Sequence, residues 1–215
     1  MEKDIAILMA DLSGYTAMTH THGGASAAKI VQKYMQMVDR ALVGSAKVVQ
    51  RIGDQVVITS AVAQDILATV TQLSELINDE HHFLPIHVGL HYGSVFVDGD
   101  NLFGSTINVA SRIMNLAQRG KILCTRQFLL KLDSDDSFAS IGQHRLKNVA
   151  EDYELFEHIP AKGQITFLID PVCHMQIDPA KCEHFAVINN ISYHFCSQQC
   201  CELFQSRPES FTSNM

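Results

Sequence analysis

Asp11 and Asp54 are the residues whose types and settings could carry chemistry. Asp11 ends an apolar run in AILMADLSGYT, and Asp54 follows a glycine in VVQRIGDQVVI. Strand-like apolar flanks place each acid on or beside a sheet, where a lone carboxylate is costly to bury. Such a pair is ordinarily offset by a divalent metal, and Mg²⁺ takes hard oxygen ligands of this kind. A third segment, FGSTINVASRI, adds Asn108 and Arg112. Their i,i+4 spacing puts both on one helix face. Two acids to hold metal, with an amide and a guanidinium to meet charge, are the parts that phosphoryl transfer requires.

Elements that could position these groups follow from periodicity. Residues 5–10 read as a buried strand and residues 13–24 as a polar, glycine-containing loop. Residues 25–43 form an amphipathic helix, with Ile30, Val31, Tyr34, Met35, Val38, Ala41 and Leu42 on one face. Residues 48–52 and 56–59 flank Gly53-Asp54 as a hairpin, and 61–76 form a second helix. Residues 86–91 and 94–97 read as a second hairpin turning at Gly93, and 105–117 as the helix bearing Asn108 and Arg112. Short strands and one helix fill the rest to His158. The order is βαββαβ with additions, an α+β, ferredoxin-like core.

The same segments resemble the class III nucleotide cyclase catalytic domain (adenylyl and guanylyl cyclases). Asp11-Leu12-Ser13-Gly14-Tyr15-Thr16 is similar to its first metal motif, and Ile52-Gly53-Asp54 to its second. VGLHYGSVFVDGDNLFGSTINVASRIMNLA is similar to its strand, hairpin and transition-state helix, and HRLKNVAEDYELFEH to its closing strands. Motifs that match in order and in register carry more than any one alone. The resemblance implies conversion of ATP or GTP to the 3′,5′-cyclic nucleotide and pyrophosphate. It implies two Mg²⁺ or Mn²⁺ ions held by Asp11, Asp54 and the Leu12 carbonyl. Backbone N–H groups around Gly14, Tyr15 and Thr16 would meet the triphosphate at the start of a helix. Arg112 would stabilise charge on the α-phosphate while Asn108 orients the ribose.

At the base-reading positions the sequence departs from the family. Adenylyl cyclases usually carry Lys and Asp (or Thr) there, and guanylyl cyclases usually place Glu at the first; this chain has Gln50 and Asn101. An amide can donate or accept, so ATP and GTP both stay open. In the family, the metal aspartates of one subunit meet the Asn and Arg of another, so a single catalytic domain implies a homodimer with two equivalent sites.

At 215 residues and 47% hydrophobic content the chain can hold one large domain or two unequal ones. No apolar run is long enough for a membrane span, and MEKDIAILMADLSG lacks the basic start of a signal peptide. A cytoplasmic protein without membrane partners is expected. A formal charge of −7 argues against nonspecific nucleic-acid binding.

Cysteine usage divides the chain. One cysteine, Cys124, precedes residue 170, and five crowd the remainder. A catalytic domain over 1–158, a linker over 159–166 (IPAKGQIT) and a small Cys-rich module over 167–215 follow. The tail resembles the YHS domain, a metal-associated module related to TRASH domains, through Asp170-Pro171-Val172-Cys173, Tyr193-His194-Phe195-Cys196-Ser197, Phe204, Pro208 and Phe211. His174 stands where that family has Gly. Cys173, Cys196 and Cys200 could share a soft ion such as Zn²⁺ or Cu⁺, since the last two lie one helical turn apart. Cys182, His184 and Cys201 are candidate fourth ligands, and unmetallated thiols stay open as an alternative. His20, His22, His81 and His82 lie in polar stretches and read as solvated. Two functions therefore stand: a nucleotide cyclase with a regulatory metal module, or a catalytically degenerate nucleotide-binding scaffold carrying a metal sensor.

Overall fold

The apolar run at the N-terminus becomes the central strand β1 (Glu2–Leu12). Its apolar stretch is unbroken because both faces are covered. Ala6, Leu8 and Ala10 face one core, and Ile5, Ile7 and Met9 face another. The computed structural model describes residues 1–99, 101–159 and 167–212. Apart from Ile159, the expected linker lies outside the described residues.

β1 leads to α1 (Tyr15–Ala41), then β2 (Lys47–Ile52), β3 (Gln55–Ser60), α2 (Ala63–Asn78) and β4 (Ile86–Asp98). These strands lie in the order β2-β3-β1-β4, with both β3 and β4 antiparallel to β1. That is the expected ferredoxin-like βαββαβ arrangement. β5 (Asn101–Phe103) pairs with β4, and α3 (Ser105–Leu116) crosses to β6 (Ile122–Thr125), parallel to β4. A short α4 (Arg126–Leu129), β7 (Phe138–Arg145) and β8 (Asp152–His158) complete the sheet. α1 and α2 pack on one face through Met18, Tyr34, Val38, Ile66, Val70 and Leu73. α3 packs on the other through Ala110 and Met114.

Two expectations need correction. Residues 13–24 are not a loop: α1 starts at Tyr15 and runs through a kink at Gly23 (φ 80, ψ 166). Gly23-Gly24 and weak helix formers (Thr, His) disguise the first turns. Nor does Gly93 turn a hairpin: β4 is continuous across it, and the reversal joins Asp98 to Asn101. Gly93 and Gly89 instead let α3 approach the strand. A Cβ on Gly89 would lie 2.3 Å from the Met114 backbone N, and one on Gly93 would lie 2.9 Å from Thr106 Oγ1.

The tail contains the hairpins β9 (Leu168–Ile169)/β10 (Gln176–Ile177) and β11 (His184–Ile188)/β12 (Ile191–Phe195), then α5 (Gln198–Ser206) and α6 (Glu209–Thr212). Asn189 and Asn190, both at positive φ, form the two-residue turn of the second hairpin. Phe204 anchors an aromatic cluster with Tyr193, Phe195 and Phe211. The module docks on the sheet domain: Gln176 donates its backbone N–H to the Phe83 carbonyl at 2.8 Å and its side-chain Nε2 to the Ile77 carbonyl at 3.0 Å. The second bond adds a second donor to a carbonyl in the last turn of α2 that already accepts the Glu80 N–H at 3.2 Å.

Buried His91 on β4 bonds Thr125 Oγ1 through Nδ1, and burial holds its pKa down at about 4. The unfolded chain, near 6.5, takes up this proton first. Stability from His91 is therefore complete above pH 6.5 and is lost as pH falls toward 4, by about 3 kcal/mol at most. Urea unfolding should show stability falling from pH 7.5 to 5, with a smaller fall in His91→Asn. Equal slopes in the two proteins would contradict this role.

Candidate active site and metal centre

Asp11 is the penultimate residue of β1, and Asp54 sits in the two-residue turn joining β2 to β3, where Gly53 takes φ 62. The fold brings the two carboxylates within hydrogen-bonding reach. Burial, then the hydrogen bond and charge of Asp11, raise the Asp54 pKa to about 6, against the opposing pull of its own backbone bond and of His87. Asp11 also accepts the Leu12 N–H at 3.1 Å, and Leu12 itself is buried at the strand end. Among the described residues neither acid pairs with a lysine or arginine. Two adjacent, half-buried carboxylates without a cation are a hard oxygen donor set, which fits Mg²⁺ or Mn²⁺.

Two neighbours carried no sequence signal. His87 lies directly across from Asp11 in the β1–β4 register, and its Nδ1 is 3.0 Å from Ser13 Oγ. Burial lowers its pKa while Asp54 raises it. Tyr34, from α1, is fully buried, and its hydroxyl has no hydrogen-bond partner among the described residues. Burial, then Asp11 and Asp54, push its pKa upward. Only the pairing of β1 with β4 and the packing of α1 bring these side chains to the acids.

Gly14, at φ 91, immediately precedes α1, so the N–H groups of Tyr15 and Thr16 open the helix and are free of intrahelical partners. Against Gly14 packs His174 from the tail: a Cβ on Gly14 would lie 2.4 Å from His174 Cβ. His174 itself has φ 66, in the left-handed region, which accounts for Gly at this position in the YHS pattern.

Asn108 and Arg112 lie on α3, outside the stripe formed by Val109, Ala110, Ile113 and Met114. Asn108 is exposed and Arg112 half-buried. Among the described residues no hydrogen bond or ion pair joins either to Asp11 or Asp54, and no carboxylate pairs with Arg112. Gln50 on β2 and Asn101 at the start of β5 are both exposed. Their chain neighbours Val49 and Leu102 line a cleft with Lys3, Lys47 and Val97.

A second cluster unites His22, Cys173, Cys196 and Cys200, with all four donor atoms within 4.8 Å of one another. Cys196 Sγ is 3.4 Å from Cys173 Sγ, 3.7 Å from Cys200 Sγ and 3.6 Å from His22 Nε2. Hydrogen bonds from Cys173 and Cys196 draw the Cys200 thiol down to about 5. His22 is thus in the cluster and not simply solvated. The suggested fourth ligands Cys182, His184 and Cys201 are outside this cluster: Cys182 meets the His184 carbonyl and His194, and Cys201 meets the Phe185 carbonyl.

A model of the adenylate and guanylate cyclase catalytic domain matches residues 1–169. The chain belongs to this family. A YHS domain model matches residues 168–214, so the cyclase domain is followed by a YHS domain. A pH-sensitive adenylate cyclase of Mycobacterium tuberculosis is 24% identical over 159 residues, covering 72% of this chain and 40% of that protein. A protein described as putative adenylate cyclase 3 of Rhizobium meliloti is 25% identical over 165 residues, covering 72% and 28%. The chain therefore spans less than half the length of these relatives. Among solved structures, the adenylyl cyclase CyaB of P. aeruginosa superposes with a TM-score of 0.65 at 14% identity, over 77% of this chain and 98% of that one. The guanylate cyclase domain of RhGC from Catenaria anguillulae, in complex with GTP, superposes at 0.62 and 17% identity, over 75% and 100%. These likenesses establish the cyclase fold. No helix among the described residues is long and apolar enough to cross a membrane.

Proposed function

We propose that this chain is a nucleotide cyclase, forming a 3′,5′-cyclic nucleotide and pyrophosphate from ATP or GTP at sites shared between two copies of itself. The observation that carries this reading is an electrostatic mismatch within one chain. Among the described residues, Asp11 and Asp54 crowd together without a cation, and Arg112 has no carboxylate partner. A second copy would bring the two halves together. Large apolar side chains lie exposed beside both. Ile52 (57% exposed) is two residues from Asp54, Phe96 and Phe103 pair across the hairpin that carries Asn101, and Leu116 is one turn beyond Arg112. These residues suit a self-complementary two-fold contact.

In this mechanism Asp11, Asp54 and the Leu12 carbonyl hold two Mg²⁺ or Mn²⁺ ions. When bound, these supply acidity to the ribose 3′-hydroxyl and neutralise the triphosphate. The N–H groups that open α1 after Gly14 bind triphosphate oxygens. Asn108 of the second copy orients the ribose, and its Arg112 stabilises charge developing at the α-phosphate. Gln50 and Asn101 read the base edge. Cys173, Cys196 and Cys200 hold a soft or borderline ion in the YHS domain.

Purified protein supplied with Mn²⁺ should convert ATP or GTP to cyclic product. The neutral pair Gln50 and Asn101 gives weight to the second reading, a nucleotide-binding scaffold, which would show triphosphate binding without product. Restoring charge should sharpen selection. A hydrogen bond to a charged group contributes roughly 1.5–3 kcal/mol against about 1 for a neutral one. Gln50→Lys with Asn101→Asp should therefore move the ATP/GTP ratio of kcat/KM toward ATP by about tenfold or more. An unchanged ratio would mean that the base is read elsewhere.

A further inference from the structure

We infer that His22 of the cyclase domain is the fourth ligand of the ion held by Cys173, Cys196 and Cys200, so that one metal centre clasps the two domains together. The inference rests on the proposed three-cysteine site and adds a ligand from a helix about 150 residues away in sequence. Its first support is distance. A tetrahedral ion with metal–sulfur bonds of about 2.3 Å and a metal–nitrogen bond near 2.0 Å needs S···S edges of about 3.8 Å and S···N edges of about 3.5 Å. The observed edges are 3.4 and 3.7 Å between sulfurs, and 3.6 Å from His22 Nε2 to both Cys196 and Cys200. These four edges lie within a few tenths of an ångström of the tetrahedral values, and the other two, from Cys173 to Cys200 and to His22, lie within 4.8 Å, so a modest inward movement of Cys173 would close the set around an ion.

The second support is preorganisation. Asp170, fully buried, ties the cysteine-bearing segments together. Its Oδ1 accepts the N–H of Val172 at 2.7 Å and of Cys173 at 3.2 Å, and its Oδ2 accepts the N–H of Cys196 at 2.8 Å. Ser197 caps α5 by accepting the Cys200 N–H. On the other domain, the helix breaks at Gly23 immediately after His22, and Gln199 of α5 donates to the Thr21 carbonyl at 3.2 Å. The end of this first helical segment is therefore already bonded to the helix that carries Cys200. Three thiolates with one imidazole favour a borderline divalent ion such as Zn²⁺.

The placement links the ion to the nucleotide site. The segment from Tyr15 to His22 starts at Gly14, and its two ends meet the YHS domain: His22 in the metal cluster and Gly14 against His174, the residue after Cys173. Ion binding would immobilise the segment whose first N–H groups face the triphosphate. Occupancy should therefore protect this segment from hydrogen exchange.

The test is cobalt titration of the full chain, stripped of metal and kept reduced, with hydrogen exchange read on the same samples. Wild type should take up one Co²⁺ per chain with thiolate charge-transfer and tetrahedral ligand-field bands, and metal should slow exchange in residues 15–22. Cys196→Ser should lose the charge-transfer band. His22→Ala should still bind through three sulfurs, but about tenfold or more weakly, with shifted ligand-field bands and without protection of 15–22. His22→Cys should restore tight binding. If His22→Ala matches wild type in affinity, spectrum and protection, the clasp is wrong while the three-cysteine site stands. If wild type takes up no cobalt, both fall.

Discussion

Asp54→Ala should lower cyclase turnover by roughly a thousandfold or more, yet yield a protein that melts at or above the wild-type temperature without added metal. The two effects share one cause. Asp11 and Asp54 are pressed together in a half-buried setting, and desolvation, then the hydrogen bond and charge of Asp11, raise the Asp54 pKa to about 6. Without a cation this arrangement works against folding, so removing one acid relieves it. In the proposed mechanism, ions held by the pair would supply several kcal/mol of charge stabilisation, which corresponds to at least a thousandfold in rate. Mn²⁺ should accordingly raise the melting temperature of wild type and leave that of Asp54→Ala nearly unchanged. A variant that retains most turnover, or one that melts well below wild type in metal-free buffer, would contradict the assignment.

Arg112→Ala should lower kcat by about a hundredfold or more, with a smaller change in KM, because its guanidinium is assigned to charge that develops only in the transition state. The fold should survive. Arg112 is half-buried, it belongs to the open flank of α3, and no carboxylate depends on it among the described residues. A matching loss in both kcat and stability would point to a packing role instead.

The residues proposed to carry chemistry stand out in the sequence because their types are locally distinctive: an acid at the end of an apolar strand, an acid in a glycine turn, and an amide and an arginine one helical turn apart. The βαββαβ order was legible for a similar reason, since long periodic segments such as α2 keep their pattern through packing. What stayed hidden depends on contacts distant in sequence. His22 sits among polar residues, and nothing in THTHGG announces the cysteines more than 150 positions later that surround it. His87 is tied to Asp11 only by strand register, and Tyr34 reads as an ordinary helix-face aromatic until the fold carries its hydroxyl toward two acids. Gly93 misled because a strand glycine that admits a helix looks, in sequence, like a turn. Glycine punctuates chains for both reasons, and only the partner element distinguishes them.

The most direct test of the shared site is a mixing experiment. Asp54→Ala and Arg112→Ala, each inactive alone, are combined under conditions where subunit exchange is verified. In the mixed dimer one site lacks both groups and the other keeps both. Random pairing makes half the dimers mixed, so about a quarter of wild-type activity should return. No recovered activity despite demonstrated exchange would contradict a catalytic site built from two copies of this chain.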